Sequence, residues 1–171
     1  FISGYKFDLN SHGMGLIVDD KYALYEVLKE KKIPIIEHKI VYNKTNQFDY
    51  AIGCNTYEYV KEYFIKNNHH IVIKPNDGTC GNHVFHVTNI HEIDNILDNI
   101  FMHHYSISIC PFYEIQHEYR IIMLDGEAKL VYAKYLPVVI GDGNKTIREL
   151  LLKFNHNYFL NKLEDRKYDR I

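Results

Sequence analysis

A lysine beside a glycine-bearing loop is the first feature of this 171-residue chain that could carry chemistry. The apolar residues 71–73 predict a strand, and residues 74–81 (KPNDGTCG) follow it, beginning with Lys74. Lysine gives a point charge on a flexible stem, and glycines let backbone N–H groups approach phosphate oxygens. The segment is therefore typical of a nucleotide-phosphate site, although the same residue types also form ordinary turns.

Composition and charge limit the classes of function. The formal net charge of -2 argues against a general nucleic-acid binder, which normally carries a basic excess. The three cysteines, Cys54, Cys80 and Cys110, form no CxxC pair, and their odd number fits poorly with a disulfide framework. No apolar run is long enough to cross a bilayer, and the N-terminus has no signal-peptide pattern. We expect a cytoplasmic protein without nucleic-acid or membrane partners, and the missing initial Met suggests an excised fragment.

Local patterns predict alternating helices and strands that do not follow a strict βαβ order. Capping residues predict four helices, which begin after Asp20, Thr56, Asn89 and Thr146. Asn89 with Glu92, and Thr146 with Glu149, have the spacing of capping boxes. Strands are predicted at 38–42, 71–74, 84–87, 105–109, 118–124 and 127–135, the last two joined by the hairpin dipeptide Asp125-Gly126. This mixture favours an α+β fold over a doubly wound parallel sheet.

Two further segments extend the lysine–glycine pattern. Residues 111–120 (PFYEIQHEYR) form one, and Lys134 with residues 141–150 (GDGNKTIREL) forms the other. In this order the three segments resemble the ATP-grasp superfamily of carboxylate–amine ligases, most of all cyanophycin synthetases and the glutathione-synthetase portion of bifunctional glutathione enzymes. The resemblance implies an ATP-grasp fold of two lobes with a nucleotide between them. Residues 1–19 would end a preceding segment, 20–110 would form the lid subdomain, and 111–171 would form an incomplete C-terminal subdomain.

The resemblance also implies which residues bind the phosphates of ATP. Lys74 would reach them from the lid, and Lys21 matches a second nucleotide-facing lysine of the family. Residues 77–82 would form a mobile loop that closes on the phosphates. Its implied contact residues are Gly78, Thr79, Gly81 and Asn82.

Residues of the second and third segments match the positions that hold the nucleoside and the transferred phosphoryl group. The Phe112 carbonyl and the Glu114 N–H would hold the adenine edge, and Glu118 would accept hydrogen bonds from the ribose hydroxyls. Arg120 and Lys134 would lie near the transferred phosphoryl group. Relatives usually carry Arg at the position of Lys134, so the bidentate geometry of a guanidinium is lost there. Without the resemblance, Glu118 also fits a strand-edge acid and Arg120 a structural ion pair.

The implied activity is ATP- and Mg²⁺-dependent ligation of a carboxylate to an amine through an acyl phosphate. The carboxylate would belong to an amino acid or short peptide, and a homo-oligomer is possible. In relatives the Mg²⁺ ligands follow the Gly-Asp-Gly segment, so we expect them beyond Ile171 and expect no complete metal site in this chain. The alternative is a nucleotide-binding sensor or scaffold without catalysis, and a kinase on the same fold is a weaker third.

Overall fold

The computed structural model describes residues 10–43, 57–135 and 138–154. The chain forms two compact units, the first extending to Glu114 and the second beginning at Ile115. The end predicted for the lid subdomain, Cys110, lies four residues before the end of the first unit. The assignment of the two units to ATP-grasp lobes stays a prediction.

Two consecutive helices begin the first unit. Helix α1 spans His12–Asp19, and helix α2 spans Lys21–Glu30. The Asp20 carboxylate caps α2 by accepting a hydrogen bond from Ala23 N at 2.7 Å, as the sequence predicted. Helix α1 was not predicted, because Gly13 and Gly15 lower the helix propensity of its first half.

Four antiparallel strands form the sheet of the first unit. They are β1 (Lys39–Tyr42), β2 (Ile71–Pro75), β3 (Phe85–Val87) and β4 (Ser106–Pro111), in the order β1-β4-β2-β3. Burial alternates along β2, where Ile71 and Ile73 are fully buried and Lys74 is half-buried. Since successive side chains point to opposite faces, Lys74 lies on the face opposite Ile73, directly across from Ser108 of β4.

Two helices supply the apolar residues that pack with one face of this sheet. Helix α3 spans Tyr57–Lys66 and α4 spans Ile93–Phe101, and their buried residues form one core with those of the strands. That core consists of Val41, Val60, Tyr63, Phe64, Ile71, Ile73, Val87, Ile93, Leu97, Ile100, Ile107 and Ile109. Each large aliphatic side chain buried here contributes about 1.5–3 kcal/mol. The core therefore fixes the strand that carries Lys74.

The predicted capping box of Asn89 and Glu92 is wrong. The Asn89 side chain accepts a hydrogen bond from His91 N at 3.1 Å and caps a short 3-10 helix, Ile90–Glu92. Glu92 then precedes α4 without a side-chain capping bond. The Asn89 side chain bonds the N–H two residues later instead of three residues later, because the chain enters α4 through a 3-10 turn, which is tighter than the first turn of an α-helix.

The second unit contains a hairpin and a helix. Strands β5 (Glu118–Leu124) and β6 (Glu127–Lys134) pair antiparallel, with a register shift at Ile122/Met123. Both turn residues have positive φ, 52° at Asp125 and 80° at Gly126, as a type I′ turn requires. Helix α5 (Ile147–Phe154) begins with the predicted capping box, since Thr146 N donates to Glu149 Oε2 at 2.8 Å and Glu149 N donates to Thr146 Oγ1 at 3.3 Å. Across the described ranges, every helix is too short or too polar to cross a membrane.

Candidate functional site

A cavity of about 250 Å³ opens beneath the glycine-bearing loop of the first unit. It brings together all the predicted phosphate-binding residues of this unit. Its lining consists of Lys21, Lys74, Pro75, Gly78, Thr79, Cys80, Gly81, Asn82 and Val84. Two lysines from distant parts of the sequence therefore share one cavity with a loop that contains two glycines.

The two lysines are close enough to influence each other. Burial lowers the pKa of Lys21 below its usual value, and the positive charge of Lys74 lowers that pKa further. Asp77, Asp20 and Asp19 act in the opposite direction on the same pKa. The lining itself contains these two lysines and no acidic residue, although the whole chain carries a small negative charge.

The Lys21 ammonium uses two of its N–H donors in hydrogen bonds to the loop itself. It donates hydrogen bonds to the carbonyl oxygens of Asn76, at 3.1 Å, and Gly78, at 2.5 Å. An ammonium has three N–H donors, so one remains for a ligand oxygen. Lys21 can therefore brace the start of the loop and still face the cavity.

Asn76 explains how α2 brings Lys21 to the loop. This residue is 2% exposed, and its side-chain Oδ1 accepts a hydrogen bond from Tyr22 N at 3.0 Å. Its backbone carbonyl accepts from Lys21 N at 3.1 Å, and its own N–H donates to Ser106 O at 3.1 Å. Asn76 thus joins the end of β2 to the first turn of α2 and to β4.

The importance of Asn76 was not predicted from the sequence. The residue lies inside the lysine–glycine segment, but its partners on α2 are more than fifty positions away. The sequence shows only that Asn76 is a polar residue between a predicted strand and a loop. Asn is common at such positions in ordinary turns, so its type does not indicate an anchoring role.

The loop after Asn76 has an unusual backbone. Cys80, Gly81 and His83 have positive φ angles of 58°, 75° and 52°. Only glycine adopts this region without steric cost, so the surroundings must hold Cys80 and His83 in place. Gly78 lies tightly against Pro75, because a Cβ built on Gly78 would approach Pro75 Cβ to 2.9 Å.

The predicted adenine-edge residues lie at the end of the first unit. Phe112 N donates to His70 O at 3.2 Å, which extends the pairing of β4 with β2 by one residue. The Phe112 ring stacks on His86 with centroids 3.6 Å apart. Glu114 is exposed and is the last residue of the unit. These contacts fix the backbone around Phe112, while the adenine role stays a prediction.

The predicted residues of the second unit share one face of the hairpin. Glu118 pairs with Lys134 in the strand register, and Lys134 Nζ donates to Glu118 Oε1 at 2.9 Å. Arg120 lies two positions after Glu118, so it is on the same face, and it is exposed. The structure pairs Glu118 with Lys134 and places Arg120 on the same face, and the ribose and phosphoryl roles of these residues stay predictions.

The acidic residues that the structure describes do not gather into a protein-only metal site. Within the described ranges, no group of three or more His, Cys, Asp or Glu side chains has the arrangement of a metal site. Mg²⁺ at nucleotide sites is usually held by one or two carboxylates together with substrate phosphates.

Comparison with known proteins places the fold in context. Residues 45–137, more than half of the chain, match the family described as prokaryotic glutathione synthetase, ATP-grasp domain. The chain belongs to this ATP-grasp family. The match confirms the superfamily and the α+β ATP-grasp fold that the three sequence segments predicted.

One curated relative of this ATP-grasp member is the glutathione biosynthesis bifunctional protein GshAB of Streptococcus mutans serotype c (strain ATCC 700610 / UA159). It is 27% identical over 144 residues, which cover 81% of this chain and 18% of the relative. The chain therefore spans less than a fifth of the length of that relative.

Two solved structures show the same fold at low sequence identity. D-alanyl-alanine synthetase A from Vibrio cholerae O1 biovar eltor is 11% identical, with a TM-score of 0.55 over 82% of this chain and 39% of that chain. The D-alanine-D-alanine ligase from Coxiella burnetii is 12% identical, with a TM-score of 0.50 over 60% of this chain and 28% of that chain. Both comparisons concern the fold alone.

Proposed function

We propose that this chain is the ATP-binding part of an ATP-dependent carboxylate–amine ligase. The observation that carries the proposal is the cavity in which Lys21 and Lys74 converge beneath the glycine-bearing loop of an ATP-grasp family member. A triphosphate fits this environment because it supplies negative charge to two ammonium groups that otherwise repel each other. The remaining N–H donor of Lys21 and the flexible stem of Lys74 suit phosphate oxygens.

The proposed reaction has two steps. A carboxylate oxygen of the substrate attacks the γ-phosphorus of ATP, and ADP leaves with the electrons of the broken P–O bond. The nitrogen of an amine then attacks the acyl-phosphate carbon, loses a proton, and displaces inorganic phosphate. The protein acts chiefly by positioning the reactants and stabilising negative charge. The substrate class proposed from the relatives is an amino acid or short peptide.

Residues outside the cavity have proposed roles that follow from family membership. The Phe112 carbonyl and Glu114 N–H hold the adenine edge, and Glu118 accepts from the ribose. Arg120 and Lys134 lie near the transferred phosphoryl group. The ion pair between Lys134 and Glu118 supports neighbouring roles for these two residues.

Substitution of Lys74 by alanine tests the phosphate site. Lys74→Ala removes one ammonium from the cavity, and a hydrogen bond to a charged group is worth about 1.5–3 kcal/mol. We expect ATP affinity measured by calorimetry to fall by at least about tenfold, with the circular dichroism spectrum unchanged. The matched control is Lys66→Ala, at an exposed position near the end of α3, which should bind ATP like the wild type. Equal ATP affinity in the wild type and Lys74→Ala would remove the proposed site.

Measurement of ADP formation separates the ligase from its alternatives. The ligase requires ADP formation that depends on both a carboxylate and an amine. ATP binding without such turnover in the longest available form of the protein would favour the sensor or scaffold, and turnover that needs no amine would favour the kinase.

A further inference from the structure

The two ends of the glycine-bearing loop contact the same dipeptide, His103-His104, which follows α4. At the beginning of the loop, His104 Nδ1 donates to Asp77 Oδ1 at 2.9 Å. At its end, the His83 ring lies 6.2 Å from the His103 ring, in a stacked arrangement, and 5.9 Å from the His104 ring, edge-on. Residues 78–82, which line the cavity, lie between these two attachment points.

The dipeptide is itself held firmly. His103 N and His104 N both donate to the Ile100 carbonyl, each at 3.0 Å. The Ile100 side chain is fully buried in the core of the first unit. A contact with His104 or His103 therefore links the loop to the end of α4, whose Ile100 belongs to the buried core.

The backbone of the loop shows why such ties are needed. His83 and Cys80 occupy the left-handed region, which costs a residue with a side chain roughly 1–2 kcal/mol. Such conformations persist when the surroundings determine them. The ring contacts of His83 hold that residue at one end of the loop, and the Asp77–His104 bond holds the other end.

We propose that His103-His104 is a clip that positions the phosphate loop over the cavity, acting through Asp77 and His83. His104 is a positioning residue, since it contacts Asp77 of the loop and does not line the cavity. The expected effect of the clip on ATP affinity rests on the proposed function, whereas its expected effect on the mobility of the loop does not. The clip lowers the conformational freedom that the loop must lose when a triphosphate binds.

The test uses a double-mutant cycle in the whole chain. The single variants are Asp77→Ala and His104→Leu, and the double variant combines them. Hydrogen exchange of the amides of residues 78–82 is measured without nucleotide, and ATP affinity is measured by calorimetry. We expect each single variant to speed exchange in the loop and to weaken ATP by about tenfold, with the double variant no worse than either single one.

Conservative variants distinguish positioning from loss of folding. His104→Asn keeps a donor near the position of Nδ1, so it should restore slow exchange and most of the ATP affinity. His83→Gly accepts the left-handed backbone but removes the ring, so it should speed exchange at the end of the loop nearest His83. His91→Leu, at an exposed histidine of the 3-10 helix, is the matched control and should change neither property.

The outcomes separate the clip from the proposed function. Wild-type exchange and affinity in His104→Leu would overturn the clip, and so would fully additive effects in the double variant. A wild-type chain that binds no ATP but loses loop protection in His104→Leu would retain the clip and refute the proposed function.

Discussion

At the scale of single residues, Asn76 connects more of the candidate site than either lysine does. Its backbone and side chain satisfy two of the N–H groups that the first turn of α2 leaves without helical partners. Asp20 satisfies a third. These three backbone N–H groups of α2 are therefore already paired within the protein. The part of this helix that can bind a phosphate is then the Lys21 side chain.

Replacement of Asn76 by alanine tests this connection. Asn76→Ala leaves Tyr22 N–H without its acceptor in a partly buried position, which costs about 1–3 kcal/mol. We expect that loss in chemical denaturation, together with weaker ATP binding because Lys21 is less well placed. Asn95→Ala, at an exposed position of α4, is the control and should leave both measurements near the wild-type values. Unchanged stability in Asn76→Ala would contradict the anchoring role.

The residues of the site differ in how well sequence alone could predict them. Lys74 and the glycines were predicted because a strand, a lysine and a glycine loop are contiguous in the chain. Lys21 needed the family resemblance, since nothing local distinguishes it from other lysines at helix starts. Asn76 and His104 were missed because their partners come from distant segments. Only the folded chain brings those partners together.

At the scale of elements, the two predicted capping boxes show the limit of local patterns. Thr146 and Glu149 form the reciprocal bonds, whereas Asn89 caps a 3-10 turn instead. The sequence spacing is the same in both cases. The difference lies in the chain path that links β3 to the buried start of α4, where Ile93 is fully buried.

The glycine-bearing loop allows a test at this scale. Gly78→Ala adds a methyl group that would lie 2.9 Å from Pro75 Cβ, so the loop must shift away from the end of β2. We expect ATP affinity to fall by about tenfold, because a displaced loop no longer covers the cavity. Overall stability should change by less than about 1 kcal/mol, since the loop is largely exposed.

Gly15→Ala, in α1, is the matched control for this substitution. A Cβ built on Gly15 meets no atom within 4 Å, and that glycine has no positive φ. It should bind ATP like the wild type. If Gly78→Ala also binds like the wild type, the close approach to Pro75 does not position the loop.

At the scale of the whole molecule, the elements were more predictable than their arrangement. Alternating burial and turn residues predicted all the strands described here to within a few positions. The order β1-β4-β2-β3 was not predicted, because it depends on pairing between segments that are far apart in sequence. That order places β4 between the strand of Lys74 and β1, and so it brings His38, just before β1, within electrostatic reach of both cavity lysines.

His38 makes the stability of the molecule depend on pH. Burial lowers the pKa of His38 below its usual 6.5, and the charges of Lys74 and Lys21 lower it further, against an opposing hydrogen bond to Ile36 O. The unfolded chain therefore binds a proton more readily than the folded chain. The His38 contribution to stability is complete above about pH 6.5 and is lost as pH falls toward the depressed pKa.

Denaturation at a series of pH values tests this effect. We expect the free energy of unfolding of the wild type to fall as pH is lowered below about 6.5. In His38→Asn, which keeps a donor for Ile36 O, that fall should be smaller. His91→Gln, at an exposed site, should retain the wild-type slope. Identical slopes in wild type and His38→Asn would show that other groups control the acid response.

The β5–β6 hairpin has a practical consequence for anyone who prepares this protein. Neighbouring residues of the two strands point to opposite faces, yet Ile121, Ile122, Leu130 and Val131 are all 47–56% exposed. Both faces of the hairpin therefore expose apolar side chains that can contact other copies of the chain during concentration or refolding. We expect aggregation to start at this hairpin. A low protein concentration during purification and refolding should reduce it.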